Sequence, residues 1–261
     1  MDQTGGRFDL RGRTAVVTGG GRGIGRAIAE VLAEAGADVV VASRRADACV
    51  EAAEAIRARY GVRTAGFGVD LADPASVRAF AAQALERFPV VDMLVNNSGR
   101  SWGADPWDIP PERWNEVLAV NVTGLWAVTM AFGRGMVERR RGSILNVASV
   151  AGLVGQEPEM LNALGYSTSK AAVVGFTRDL AVKWARWGVR VNAIAPGFFP
   201  TRMTEGLLRQ EEVRRRIEAR VPLGRVGDLE ELKGAALFLL SDAASYVTGQ
   251  VLAIDGGQTS A

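Results

Sequence analysis

The sequence predicts an α/β domain built on a doubly wound parallel sheet of about seven strands with helices on both faces. Three observations lead there. Short runs rich in Val and Ile alternate with Ala-rich helical patterns along the 261-residue chain, which is the signature of βαβ units. Most of these runs are continuously apolar rather than alternating, so their strands need cover on both faces. The first run ends in a glycine-rich turn that opens a helix, an order that aims backbone N–H groups at one spot.

In chain order, the strands are expected at Thr14–Thr18, Asp38–Ser43, Arg63–Val69, Met93–Asn96, Ser143–Ala148, Arg190–Ala195 and Val251–Ile254. The first helix is expected over Arg26–Ala35, after the turn Thr18-Gly-Gly-Gly-Arg-Gly-Ile-Gly25. Gly19, Gly23 and Gly25 depart from the common G-x-G-x-x-G by leaving three residues between the first two glycines. The strand, turn and helix order still suits a phosphate at the positive end of a helix dipole. Two later helices are expected over Trp114–Phe132 and from Gly165 to about Trp187. The Pro-containing segments at 105–111 and 196–200 each follow a strand and read as loops at the ligand edge. No repeat, low-complexity tract or linker divides the chain. Residues 8–261 therefore read as one Rossmann-type domain behind a flexible tail over 1–7.

Composition excludes several functions. With 31 basic and 29 acidic residues the chain is nearly balanced, and the runs Arg139–Arg141 and Arg214–Arg216 read as solvated helix faces, so no nucleic-acid partner is expected. There is no histidine, which removes the commonest metal ligand and general base, and a single cysteine, Cys49, permits neither an internal disulfide nor a cysteine metal cluster. No metal is expected. The first residues carry no apolar core of a signal peptide, and no run of about 18 apolar residues occurs, so a cytoplasmic protein without a membrane partner is expected.

Tyr166 and Lys170 lie four positions apart in a helical segment and so share one face. A lysine beside a tyrosine favours the phenolate, which makes Tyr166 a candidate general acid/base. The pair is weak evidence alone, since such a spacing arises readily by chance.

Further motifs accompany it: Asn96-Asn-Ser-Gly99 after the fourth strand, Asn121 in an apolar helix, Ser149 after the fifth strand, and Pro196-Gly197 followed by Thr201. In this order and spacing the chain resembles the short-chain dehydrogenase/reductase family over about residues 8 to 257, and in the loop Pro196-Gly-Phe-Phe-Pro-Thr-Arg-Met203 it resembles the bacterial gluconate 5-dehydrogenase-like and 3-oxoacyl reductase-like members. The resemblance implies an enzyme with Asn121, Ser149, Tyr166 and Lys170 as catalytic residues. Tyr166 would exchange a proton with the substrate oxygen, Ser149 would orient that oxygen, and Lys170 would lower the tyrosine pKa and bond the nicotinamide ribose. Asn121 would hold a water linking Lys170 to solvent. A nicotinamide site is implied over Gly19, Arg22, Gly23, Ile24, Gly25, Ser43, Arg44, Asp70, Leu71, Asn97, Gly99, Tyr166, Lys170, Pro196, Gly197 and Thr201.

The second strand ends in Ser43 and Arg44, where an NAD enzyme usually has an acid for the ribose hydroxyls, so NADP(H) is the expected cofactor, with Arg22 also in reach of its 2′-phosphate. The expected substrate is a small molecule, a secondary alcohol or ketone such as a polyol or sugar acid, with 3-oxoacyl thioesters as the alternative. A nucleotide-binding regulator without chemistry would be expected to lose Ser149, Tyr166 or Lys170, and all three are present. A Ser-Lys hydrolase would need a glycine-flanked elbow that Asn146-Val-Ala-Ser-Val-Ala-Gly152 lacks.

Ser149 and Tyr166 are 17 positions apart, more than is common in the family, so Gln156–Asn162 is expected to be a solvent-facing insertion near the substrate mouth. Trp102, Trp107, Phe198, Phe199 and Met203 are candidates for pocket walls. Apolar residues on more than one stripe of the two long helices, among them Trp126, Met130, Phe176 and Trp184, imply cover by a second copy, and the resemblance implies a homotetramer.

Overall fold

The computed structural model describes residues 6–261, so the expected tail over 1–7 lies largely outside the described residues. The strands are β1 (Thr14–Thr18), β2 (Asp38–Ser43), β3 (Thr64–Gly68), β4 (Met93–Asn96), β5 (Gly142–Val147), β6 (Val189–Pro196) and β7 (Val251–Ile254), each within two residues of its expected bounds. They form one parallel sheet in the order β3-β2-β1-β4-β5-β6-β7. The order reverses between β1 and β4. Connections leave these two strands in opposite directions, so a crevice opens at their C-terminal ends.

The helices between strands are α1 (Gly23–Glu34), α2 (Ala46–Tyr60), α3 (Pro74–Arg87), α4 (Pro111–Leu118), α5 (Leu125–Glu138), α6 (Pro158–Leu161), α7 (Leu164–Ala185), α8 (Glu205–Leu208), α9 (Glu211–Ala219) and α10 (Lys233–Leu240). Alternation along the strands sends neighbouring residues to opposite faces. Ala15 and Val17 of β1 pack with Ile28 and Leu32 of α1, Ile56 of α2 and Leu239 of α10. Val16 joins the opposite core with Phe80 of α3 and Val128 and Phe132 of α5. Both faces are thus buried, which is why the strand runs are apolar throughout.

The helix expected over Trp114–Phe132 is not one regular helix. Ala119–Gly124 forms a π-helical segment between α4 and α5, and Asn121 sits within it. A π turn is often found where function needs an irregular backbone, and no sequence periodicity announces it. Taken together, Pro111–Glu138 is long and apolar enough to cross a membrane by composition, yet its apolar residues Val117, Leu125, Val128, Phe132 and Met136 are buried in this domain. The expected surplus of apolar stripe is also smaller than read from sequence. Val173, Val174 and Leu180 are buried and Trp184 fills the space over Gly133, leaving Trp126, Leu164 and Val182 as the exposed large apolar residues of α5 and α7.

Behind the crevice floor runs a buried polar chain. The Asn96 amide donates to Thr129 Oγ1 and to Asn146 Oδ1, both at 2.9 Å, and the Asn146 amide donates to Thr177 Oγ1 at 2.9 Å. The two threonine hydroxyls donate onward to Leu125 O and Val173 O. This chain fastens β4 and β5 to α5 and α7, the helices that carry the site. Asn96→Leu leaves the Asn146 oxygen buried without a donor, and it is expected to cost about 2 kcal/mol, read as a fall of roughly 5 °C in melting temperature.

Candidate active site

A cleft of about 660 Å³ opens where the strand order reverses. Its floor is built by Val147, Ala148 and Ser149 at the end of β5 and by Tyr166 and Lys170 on the first turns of α7. Ser149 caps a short 3-10 turn, its Oγ accepting from Ala151 N–H at 3.2 Å, and it lies within hydrogen-bond reach of the Tyr166 phenol. The turn approaches α7 closely. A Cβ on Gly152 would stand 2.5 Å from the Lys170 carbonyl carbon, so Gly152 lets serine and lysine come together.

Lys170 is buried, and its Nζ donates to Val147 O at 2.6 Å and stands 5.6 Å from the centre of the Tyr166 ring. Burial pushes its pKa from 10.5 down to about 8. Burial also raises the Tyr166 phenol, an effect partly offset by Ser149. The expectation that Lys170 draws the phenol toward neutrality is therefore corrected. The ammonium is directed at the Val147 carbonyl rather than at the phenol oxygen, so it does not lower the phenol in this arrangement. The phenol stays protonated near neutrality, which suits it to give a proton.

Asn121 is buried and fully engaged. Its Oδ1 accepts from Arg100 N–H at 2.8 Å, and its amide donates to Arg100 O at 2.9 Å and Ser169 Oγ at 2.8 Å. Its side chain is thus a brace between the loop after β4 and α7. It does not line the cleft.

The other half of the cleft is shaped for a phosphorylated ligand. Gly19 and Gly23 adopt φ values of 68° and 55°, left-handed conformations that favour glycine. A Cβ on Gly25 would meet Gly19 O at 2.4 Å, so Gly25 is a packing residue beneath the turn. The first turn of α1 has no side-chain cap and no acid, which leaves its N–H groups and dipole available to an anion. Arg22, Ile24, Ser43, Arg44, Asp70, Leu71, Asn97, Gly99, Pro196, Gly197 and Thr201 line the same cleft as expected. Within that set, the Asn97 amide ties the strand ends together by donating to Thr18 O and Gly19 O. The Ser43 hydroxyl is turned toward Cys49 Sγ at 3.1 Å. No carboxylate stands at the end of β2, and Arg44 forms no ion pair among the described residues. These features fit a dinucleotide carrying an extra phosphate.

Sequence reasoning missed Arg100, Arg202 and Thr204, and it set Arg45 aside as a solvated helix-start residue; all four line the cleft. Arg45 and Arg202 stood beside residues already singled out, but nothing local shows which way a loop arginine faces. Of the pocket-wall candidates, Phe199 and Met203 reach the cleft, whereas Trp102, Trp107 and Phe198 do not, and Trp107 is 94% exposed. The segment Gln156–Asn162 is not a free lid. Met160 is buried, Glu157 pairs with Arg220, and α6 packs on α9, so the apolar Met160 anchors what its polar neighbours seemed to release.

A family model described as enoyl-(acyl carrier protein) reductase matches residues 19–259. The chain is 40% identical over 248 residues to the 3-oxoacyl-acyl-carrier-protein reductase FabG of Aquifex aeolicus (strain VF5), covering 95% of this chain and 98% of that protein. It is 41% identical over 252 residues to the galactitol 2-dehydrogenase (L-tagatose-forming) of Cereibacter sphaeroides, covering 97% of each. Among solved structures, a gluconate 5-dehydrogenase from Burkholderia cenocepacia J2315 in complex with NADP and tartrate matches with a TM-score of 0.92 at 37% identity, over 98% of both chains.

Proposed function

Since the chain belongs to the short-chain dehydrogenase/reductase family, we propose that it is an NADP(H)-dependent oxidoreductase interconverting a secondary alcohol and a ketone, with polyols or sugar acids as the substrate class. The observation that carries this reading is the convergence of Ser149, Tyr166 and Lys170 on the floor of a cleft whose other half offers an uncapped helix N-terminus and unpaired arginines. When bound, the nicotinamide supplies or accepts the hydride.

The chain's own residues handle the oxygen. Tyr166, protonated near neutrality, gives its proton to the carbonyl oxygen during reduction and takes it back during oxidation. Ser149 donates to the same oxygen and holds the reacting carbon at the floor. Lys170, still largely charged at pH 7, places a positive group beside the oxygen that gains negative charge. We propose Asn121, Ser149, Tyr166 and Lys170 as the catalytic residues and the expected cleft residues as the cofactor site.

A 3-oxoacyl thioester is the second substrate reading, supported by the 40% identity to the Aquifex aeolicus reductase. A panel of polyols, sugar acids, simple ketones and 3-oxoacyl thioesters, followed at the nicotinamide absorbance, separates the two. Turnover confined to thioesters would overturn the polyol assignment.

Cofactor preference rests on Arg44, an arginine where a carboxylate would read ribose hydroxyls. Arg44→Ala is expected to raise the KM for NADPH about 10- to 100-fold while leaving that for NADH nearly unchanged. Equal effects on both would remove Arg44 as the phosphate reader. We further assign a cytoplasmic homotetramer, supported by Trp126 and Val182, which remain 52% and 80% exposed on α5 and α7.

A further inference from the structure

Four arginines line the cleft: Arg22 in the glycine turn, Arg44 and Arg45 after β2, and Arg202 in the loop after β6. Arg45 pairs with Asp47, but Arg22, Arg44 and Arg202 form no ion pair among the described residues. Like charges repel, and a cluster of arginines on one cleft attracts an anion that each guanidinium can hydrogen-bond. Arg22 feels this directly. Burial first, and then Arg202 ahead of Arg45 and Arg44, lowers its hold on its proton.

Arg22 thus stands between arginines from two different elements. Arg44 approaches from the end of β2, and Arg202 approaches from across the cleft. The loop that carries Arg202 leans on the glycine turn, since the Thr201 methyl lies 3.7 Å from where a Gly23 Cβ would be. That brings the loop up to the first turn of α1, where no side chain caps the N–H groups. The loop is held in this course by Thr204, whose Oγ1 accepts from Thr201 N–H at 3.0 Å, and Met203 lines the same cleft.

We propose that Arg202 binds the pyrophosphate of the dinucleotide from the side opposite the glycine turn, an inference that rests on the NADP(H) reading above. The three unpaired arginines divide the phosphates between them. Arg44 and Arg22 face the 2′-phosphate, and Arg22 and Arg202 flank the pyrophosphate. Because Arg202 is followed directly by Met203, a phosphate held by Arg202 also fixes the neighbouring wall of the reactive end. Arg202 is then a cofactor-binding residue whose loss touches NADPH and NADH alike, since both carry a pyrophosphate.

The test is calorimetric titration of the resting protein with NADPH and with NADH, for wild type, Arg202→Gln, Arg202→Lys and Arg44→Ala, with melting temperatures as the control for folding. Arg202→Gln is expected to weaken both dinucleotides about tenfold, and Arg202→Lys to restore most of the loss. Arg44→Ala is expected to weaken NADPH alone. If Arg202→Gln weakened NADPH only, Arg202 would belong to the 2′-phosphate and the inference would be overturned. No change with either dinucleotide would overturn it equally. Failure of the parent reading looks different: Arg44→Ala would then leave NADPH untouched whatever Arg202 does.

Discussion

Tyr166→Phe is expected to fold, to bind NADPH with nearly wild-type affinity and to lose turnover by about 10³-fold or more. The substitution keeps the ring and removes only the hydroxyl, so Ser149 and Lys170 stay in place around an unchanged shape. Because burial raises the phenol pKa, the hydroxyl is protonated throughout the neutral range and no other group at the floor combines a transferable proton with contact to Ser149. The readouts are single-turnover reduction of a ketone and NADPH binding by nicotinamide fluorescence. A variant with wild-type turnover would remove Tyr166 as the acid, and one with lost cofactor affinity would show that its role is binding.

Lys170→Met gives the second large effect, and it runs in two directions. Turnover is expected to fall by about 10²-fold or more, because the positive charge beside the substrate oxygen disappears. Thermal stability at pH 7 is expected to hold or rise. Lys170 is buried with its pKa lowered from 10.5 to about 8, so at neutral pH the fold carries a charge it would rather release. The sign follows from proton counts. Between about pH 8 and 10.5 the unfolded chain holds the Lys170 proton and the folded chain does not, so wild-type stability attributable to this group rises with pH. The advantage of the methionine variant should therefore be greatest at pH 7 and shrink across that window. The bond from Nζ to Val147 O offsets part of the penalty, which sets the size of the gain but not its pH dependence. Melting curves at pH 7 and pH 10 decide the matter, and a variant that melts well below wild type at pH 7 would mean that the Val147 bond outweighs the charge.

Much of this molecule could be read in advance because its determinants are local. The strand runs were visible because both sheet faces are buried, which forces Val16 and Val17 alike to be apolar although they enter different cores. The glycine turn was visible because Gly19 and Gly23 need left-handed backbone and Gly25 cannot carry a Cβ. The family followed from motif order, and the likeness to gluconate 5-dehydrogenase-like and 3-oxoacyl reductase-like proteins, read from the loop Pro196-Gly-Phe-Phe-Pro-Thr-Arg-Met203, agrees with relatives bearing those names. What stayed hidden depends on long-range contacts. The π segment around Asn121 has the composition of ordinary helix, and its amide finds Arg100 and Ser169, 21 and 48 positions away. The anchoring of Gln156–Asn162 depends on Arg220 far along the chain, and the phenol pKa depends on burial that no motif encodes.

In the proposed reaction this chain moves a hydride between NADP(H) and a carbonyl carbon while Tyr166 handles the proton. Reduction of a ketone from the substrate panel with NADPH deuterated at the reactive face of nicotinamide C4 tests it directly by mass spectrometry. The account predicts one deuterium on the carbinol carbon of the product for each NADPH consumed, and no such label when deuterium is supplied only by the solvent. NADPH consumption without carbon-bound deuterium, or label arriving on that carbon from solvent, would contradict it.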